Sequence, residues 1–125
     1  MAECLSFYKC EICGTIVQVF HKGDGELVCC GKPMHYIQAH KPEEELQEKH
    51  VPVFTQDKVL VGSIPHPMMP EHHIEFIETI SEDKKELHVK FLDVCDNPEM
   101  ELKNINAKIA YEYCNLHGLW ENIKE

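Results

Sequence analysis

The chain has no apolar run approaching the roughly 18–20 residues that cross a bilayer. Its opening residues, Met1-Ala2-Glu3-Cys4, lack the basic stretch and apolar segment of a secretory signal. Basic side chains are scarce: 12 Lys and Arg stand against 22 Asp and Glu, giving a formal charge of −10 and a pI of about 5.3. That balance argues against nucleic acid and anionic membrane as partners. No internal repeat and no low-complexity tract is present. These absences point to a compact cytoplasmic protein. Its 125 residues suffice for one ordinary domain, or for a small metal-stapled module followed by a compact β domain.

Cysteine, by contrast, is plentiful. There are seven, an odd number, and in a reducing compartment metal ligation is a stronger reading than a disulfide framework. Residues 1–37 read as a miniature domain. Phe7-Tyr8-Lys9 is a short strand entering a Cys-x-x-Cys-Gly turn, Thr15 to Phe20 is a β-rich run, and Lys22-Gly23-Asp24-Gly25 signals a turn before Glu26-Leu27-Val28. Such a hairpin buries little, so a metal is expected to hold it together. Residues 38–49 are polar and acidic and read as a solvated linker that also forms the active-site loop. From His50 to Glu125 the pattern is β. Val51–Phe54 and Lys58–Gly62 are strands, and residues 73–80 and 86–94 form a hairpin around Ser81–Lys85. Ile105, Ala107, Ile109, Tyr111 and Tyr113 alternate in a further strand. Ile74, Phe76 and Ile80 are expected to share one face, as are Leu87, Val89 and Phe91. The spacing predicts an all-β protein whose larger part is an antiparallel, immunoglobulin-like sandwich.

Cys10-x-x-Cys13 places two sulfurs on one tight turn, and Cys29-Cys30 supplies two more. Adjacent side chains in a regular strand point to opposite faces. One shared ion therefore requires a distorted turn there, which Gly31 and Pro33 suit. Four thiolates suit zinc or a single iron. Cys4 and Cys95 are left over and read as free thiols.

A second set of donors lies elsewhere. His50 starts a strand, Pro65 and Pro67 bracket His66 in an extended loop, and Cys114 and His117 share one turn. His72 and His73 compete; alternation puts His72 on the Ile74/Phe76 face and makes it the ligand. His21, His35, His40 and His88 read as satisfied or solvent-facing imidazoles. Four imidazoles and one thiolate exceed the four donors at which zinc closes. Five donors leave an octahedral ion one open position, and imidazole with thiolate at an open site suits ferrous iron. A thiolate pushes electron density onto the metal.

The segments YKCEICG, LVCCG, EKHVPV, VGSIPHPMMPEHHIEFIE and YCNLHGLW together carry a specific likeness. Over essentially its whole length the chain resembles desulfoferrodoxin, the two-iron class of superoxide reductase. The resemblance implies a desulforedoxin-like N-terminal domain with iron on Cys10, Cys13, Cys29 and Cys30. It further implies a seven-stranded sandwich with a second iron, held by equatorial His50, His66, His72 and His117 and axial Cys114. It implies one-electron reduction of superoxide to hydrogen peroxide without dioxygen release, rubredoxin or a similar small carrier as electron donor, and a homodimer. Glu48 maps to the glutamate that fills the open position in the resting oxidised state. Lys49 maps to the residue that attracts superoxide and orders water near the bound oxygen.

A charge of −10 opposes the approach of an anionic substrate. At physiological salt the Debye length is roughly 8 Å, so distant carboxylates are largely screened. A lysine about 4 Å away at an effective dielectric near 20 contributes up to about 4 kcal/mol before further screening. Local charge should therefore dominate, as in a focusing cleft.

Overall fold

The computed structural model describes residues 3–41, 50–62, 67–102 and 106–124. The chain separates into two compact units, Met1–Gln38 and Ala39–Glu125. The elements named below are all strands; His50 itself is helical and precedes the strand that the sequence expects it to start, and no helix among the described residues is long and apolar enough to cross a membrane.

In the first unit, β1 (Phe7–Lys9) lies between β2 (Ile16–Gln18) and β5 (His35–Ile37) in an antiparallel sheet. A second, two-stranded piece pairs β3 (Val28–Cys29) with β4 (Lys32–Pro33). The expected β-rich run after Thr15 thus becomes β2, and β5 is an additional short strand. Of this unit's apolar side chains, Phe7 and Cys10 are buried, whereas Ile12, Phe20, Val28 and Tyr36 are exposed. So little burial cannot offset the entropy of ordering the chain, and a metal has to supply the difference.

The second unit contains two sheets. One has the order β10-β7-β6, built from β6 (Pro52–Phe54), β7 (Lys58–Val61) and β10 (Glu99–Glu101). The other has the order β12-β11-β8-β9, built from β8 (Ile74–Ser81), β9 (Leu87–Phe91), β11 (Ala107–Cys114) and β12 (Gly118–Ile123). All pairings are antiparallel. The core gathers Val59, Val61 and Met100 from the first sheet with Ile74, Ile77, Ala110 and Cys114 from the second, and Leu92 joins them. Among the described residues this is a β-sandwich of seven strands, as the alternation and the resemblance lead one to expect.

Two local features differ from the sequence reading. The β8–β11 register pairs Tyr113 with Phe76 but Cys114 with Ile74. Glu75 is therefore an extra residue, a bulge that turns Ile74 into the core while Phe76 stacks on Tyr113, with rings 6° apart in plane, on the other face. Ile74 and Phe76 do not share a face. Nor is the start of the 38–49 segment a solvated linker. Ala39 is buried, and His40 runs beside β12, with its N–H donating to Leu119 O and its carbonyl accepting from Glu121 N–H.

Candidate metal centres

The first centre is built by two tight turns. Cys10 N–H donates to Thr15 O and Gly14 N–H to Cys10 O, both at 2.9 Å, which closes the Cys10–Cys13 loop. Across from it, Cys30 and Gly31 connect β3 to β4 with φ values of 55° and 73°. Two left-handed residues in succession are the signature of a two-residue hairpin turn whose twist matches its strands. That turn brings the adjacent Cys29 and Cys30 sulfurs to 4.0 Å from each other, and Cys29 Sγ to 3.6 Å from Cys13 Sγ. A tetrahedron with metal–sulfur bonds of about 2.3 Å has edges of about 3.8 Å, so the spacing fits one ion. All four sulfurs lie within 4.8 Å of one another.

Crowding splits the acidities of these thiols. The hydrogen bond with the Thr15 hydroxyl, at 3.1 Å, pulls Cys13 down to about 6. The hydrogen bond with the Cys13 sulfur pushes Cys29 up to about 12. Backbone N–H bonds, led by that of Cys13, lower Cys10, and the contact with Cys13 raises Cys30. Four sulfurs this close become thiolates together only around a cation, which is what the donor set is suited to hold.

The second centre gathers His50, His72, Cys114 and His117, whose donor atoms also lie within 4.8 Å of one another. Cys114 ends β11 and is fully buried; His117 follows in the loop to β12, which Cys114 and Gly118 close as a pair. His117 Nδ1 stands 3.8 Å from Cys114 Sγ and 3.1 Å from His50 Nε2. The second distance suits either an N–H···N hydrogen bond or two nitrogens on one ion. His50 is held flat by Trp120, with ring planes 19° apart and centroids 5.1 Å apart, and Trp120 Nε1–H donates to His117 O at 3.2 Å. Trp120 also packs against His40, with centroids 4.7 Å apart.

His72 comes from a tight turn rather than from a strand face. Met69 and His72 exchange two backbone hydrogen bonds, at 2.9 and 3.0 Å, around Pro70 and Glu71. The structure brings His72, and not His73, into this group; His73 Nδ1 instead faces Met69 O at 3.1 Å. Alternation along β8 therefore has no part in choosing between them. His66, Glu48 and Lys49 lie outside the described residues.

Burial pushes the Cys114 thiol above its ordinary range, while N–H bonds from Leu116 and His117 pull the other way. A cation is thus needed to hold this sulfur as a thiolate, and thiolate with imidazoles is a donor set that suits iron. Two residues earlier in β11, Glu112 is fully buried and its carboxyl oxygens have no hydrogen-bond partner among the described residues. Burial raises it well above the usual carboxylate range, which favours its neutral form. Sequence reasoning missed Glu112, Asn115 and Trp120. Nothing in the alternation marks Glu112: Tyr111 and Tyr113 read as the apolar face of that strand, whereas Ala110 and Cys114, two positions to either side of Glu112, join the core.

Two separate donor clusters, one of four thiolates on a small β module and one of imidazoles and a thiolate at the end of a sandwich, define a two-centre metalloprotein. Residues 2–37 match the family described as "Desulfoferrodoxin, N-terminal domain", and residues 38–123 match "Desulfoferrodoxin". The chain belongs to the desulfoferrodoxin family. It is 44% identical to a desulfoferrodoxin homolog of Archaeoglobus fulgidus, with 98% of this chain and 99% of that one covered. It is 46% identical to a desulfoferrodoxin of Syntrophotalea carbinolica, with 98% of each covered. Among solved structures, the superoxide reductase from Treponema pallidum superposes with a TM-score of 0.71 at 28% identity, over 98% of this chain and 99% of that one.

Proposed function

We propose that this protein is a superoxide reductase, and that the His50/His72/Cys114/His117 group, completed by His66, is where it acts. The observation that carries the reading is the convergence of one buried thiol with three imidazoles at the end of a sandwich similar to a superoxide reductase. Bound there, ferrous iron supplies the single electron that, with two protons, converts superoxide to hydrogen peroxide. The protein's own part is to hold and tune. Cys114 provides the anionic sulfur, shielded in the core. His50, clamped by Trp120, and His117, whose carbonyl the indole N–H holds, keep their ring orientations. Orientation of ligand rings by outer partners is what fixes ligand geometry and basicity. Glu48 and Lys49, next to His50 in sequence, would act as the catalytic residues: Lys49 would draw in the anion and Glu48 would offer its carboxylate to the oxidised centre at rest.

Iron on Cys10, Cys13, Cys29 and Cys30 completes the cofactor set. Rubredoxin or a similar small redox protein supplies electrons in the cytoplasm, where unpaired cysteines persist. The chain works as a homodimer; the exposed Phe20, Val28 and Tyr36 of the first unit support that reading, since pairing would cover them.

The test is a product count. The anaerobically reduced, iron-loaded protein is mixed with superoxide while an external reductant recycles the iron. One peroxide per superoxide with no dioxygen is expected. Half as much peroxide with dioxygen evolved would mean dismutation, and the four-cysteine centre would then stand forward as that of a simple electron carrier.

A further inference from the structure

We propose that Asn115 is a positioning residue of the second centre: its side-chain amide ties the turn that carries His72 to the loop that carries Cys114 and His117. The proposal rests on reading those three residues as ligands of one ion.

Three hydrogen bonds make the tie. Asn115 Oδ1 accepts from His73 N–H at 2.8 Å, Asn115 Nδ2 donates to Glu71 O at 3.1 Å, and the Asn115 backbone N–H donates to His73 O at 3.1 Å. Glu71 and His73 are the residues on either side of His72. The amide therefore brackets the His72 peptide from both sides without touching its ring. The Met69–His72 turn is closed by its own backbone pair, but such a turn can swing as a body. The Asn115 bonds reach the turn itself and add to the Cys114–Ile74 pairing of β11 with β8 in fixing it relative to Cys114, the residue immediately before Asn115.

Two observations separate this role from the ordinary uses of asparagine in loops. Asparagine is often chosen because it tolerates the left-handed region, yet Asn115 is not among the residues with positive φ. Asparagine also caps turns by bonding its own neighbours, but here the side-chain bonds reach partners 42 and 44 positions away. A primary amide accepts through its oxygen while it donates through its nitrogen. Aspartate would offer acceptors alone and set a carboxylate oxygen against the Glu71 carbonyl.

Cobalt(II) provides a probe that needs no superoxide. The full-length protein and its N115A, N115D and H72A variants are stripped, reloaded with cobalt(II), and titrated against a chromophoric chelator, with the thiolate-to-cobalt band of each centre followed separately. The four-cysteine centre serves as the internal reference. N115A is expected to bind cobalt at the His/Cys centre about 10–100-fold more weakly, the range seen when an outer partner of a ligand is lost. Its band there should shift while the four-cysteine centre stays unchanged. N115D, which keeps the acceptor for His73 N–H, should fall between N115A and the parent. Parent-like affinity and band in N115A would overturn the proposal. Equal losses at both centres would overturn it too, by marking a general folding defect. If H72A leaves the band unchanged, the ligand reading of His72 fails and takes the proposal with it. A band altered in H72A but not in N115A overturns the tie alone.

Discussion

At the scale of single residues, Cys114 carries the greatest burden. It is both a core side chain and a donor. Serine fits the space, but its hydroxyl cannot become an anion at neutral pH. Cys114→Ser should retain the sandwich yet slow superoxide reduction by at least about 100-fold, beyond the usual effect of losing an outer partner. Rapid mixing of the iron-loaded variant with superoxide measures this, and full turnover would remove the thiolate from the mechanism. Lys49→Ala tests attraction instead of electronics. Its second-order rate should fall about tenfold at low salt, equivalent to about 1.4 kcal/mol, and less at physiological salt, where screening already weakens the pull. Iron content should be unchanged. A rate independent of the substitution at low salt would assign Lys49 no role in encounter.

At the scale of elements, the Cys30-Gly31 turn and the β8–β9 hairpin have separate tests. A Cβ at Gly31 meets nothing within 4 Å, but the residue sits at a φ of +73°. Gly31→Ala therefore costs backbone strain alone, about 1–2 kcal/mol, and the four-cysteine centre should lose its ion to a chelator roughly tenfold more readily. In the β8–β9 turn the Ser81 hydroxyl and the Lys85 N–H both donate to Asp83 Oδ1, at 2.6 and 3.0 Å, and the Ser81 bond leads in holding Asp83 below its usual range. A depressed folded value means stability that is present above the unfolded value of about 3.9 and is lost as pH falls through the folded one. The urea midpoints of Asp83→Ala and the parent should accordingly differ at pH 7 and draw together as pH falls below the unfolded value. A gap that does not narrow on acidification would assign the loss to something other than the ionised carboxylate.

The same scale shows what a sequence can disclose. Cys10, Cys13, Cys29 and Cys30 are legible because ligand chemistry leaves a spacing behind, and Cys114 with His117 because both fall on one turn. The strands of the sandwich are legible from alternation. The Glu75 bulge is not, because it exists only as a mismatch of register against β11, and a single strand carries no record of its partner. Asn115 is hidden for a related reason: its amide is defined by carbonyl and N–H groups of Glu71 and His73 that any residue would possess. His72 could be chosen over His73, yet by a face argument that the Met69–His72 turn makes irrelevant.

On the scale of the whole molecule, the two units differ in what holds them. The first has almost no apolar burial, while the second encloses a continuous core. Stripping the four-cysteine ion with a thiol-directed reagent should unfold β1 to β5 and leave β6 to β12 standing. The chain contains a single tryptophan, Trp120, 2% exposed in the second unit. Its emission should stay blue while hydrogen exchange in the first unit accelerates. A simultaneous red shift would show that the units unfold as one.

The spacing of the second set of donors along the chain gives metal loading an order in time. Cys114 and His117 are three positions apart and meet as soon as the β11–β12 hairpin forms, so a nascent site can grip an ion with two donors before the sandwich closes. His72, 42 positions from Cys114, and His50, 67 from His117, arrive only when long loops have been closed, and closure becomes more costly as loops lengthen. An ion captured early would be carried into the barrier of folding by its first two ligands, and the slow arrivals would then decide whether it is kept. Discrimination between metals in the cell would on that account be exercised during folding, by the residence time of each ion on a two-donor hairpin, as much as by the finished pocket.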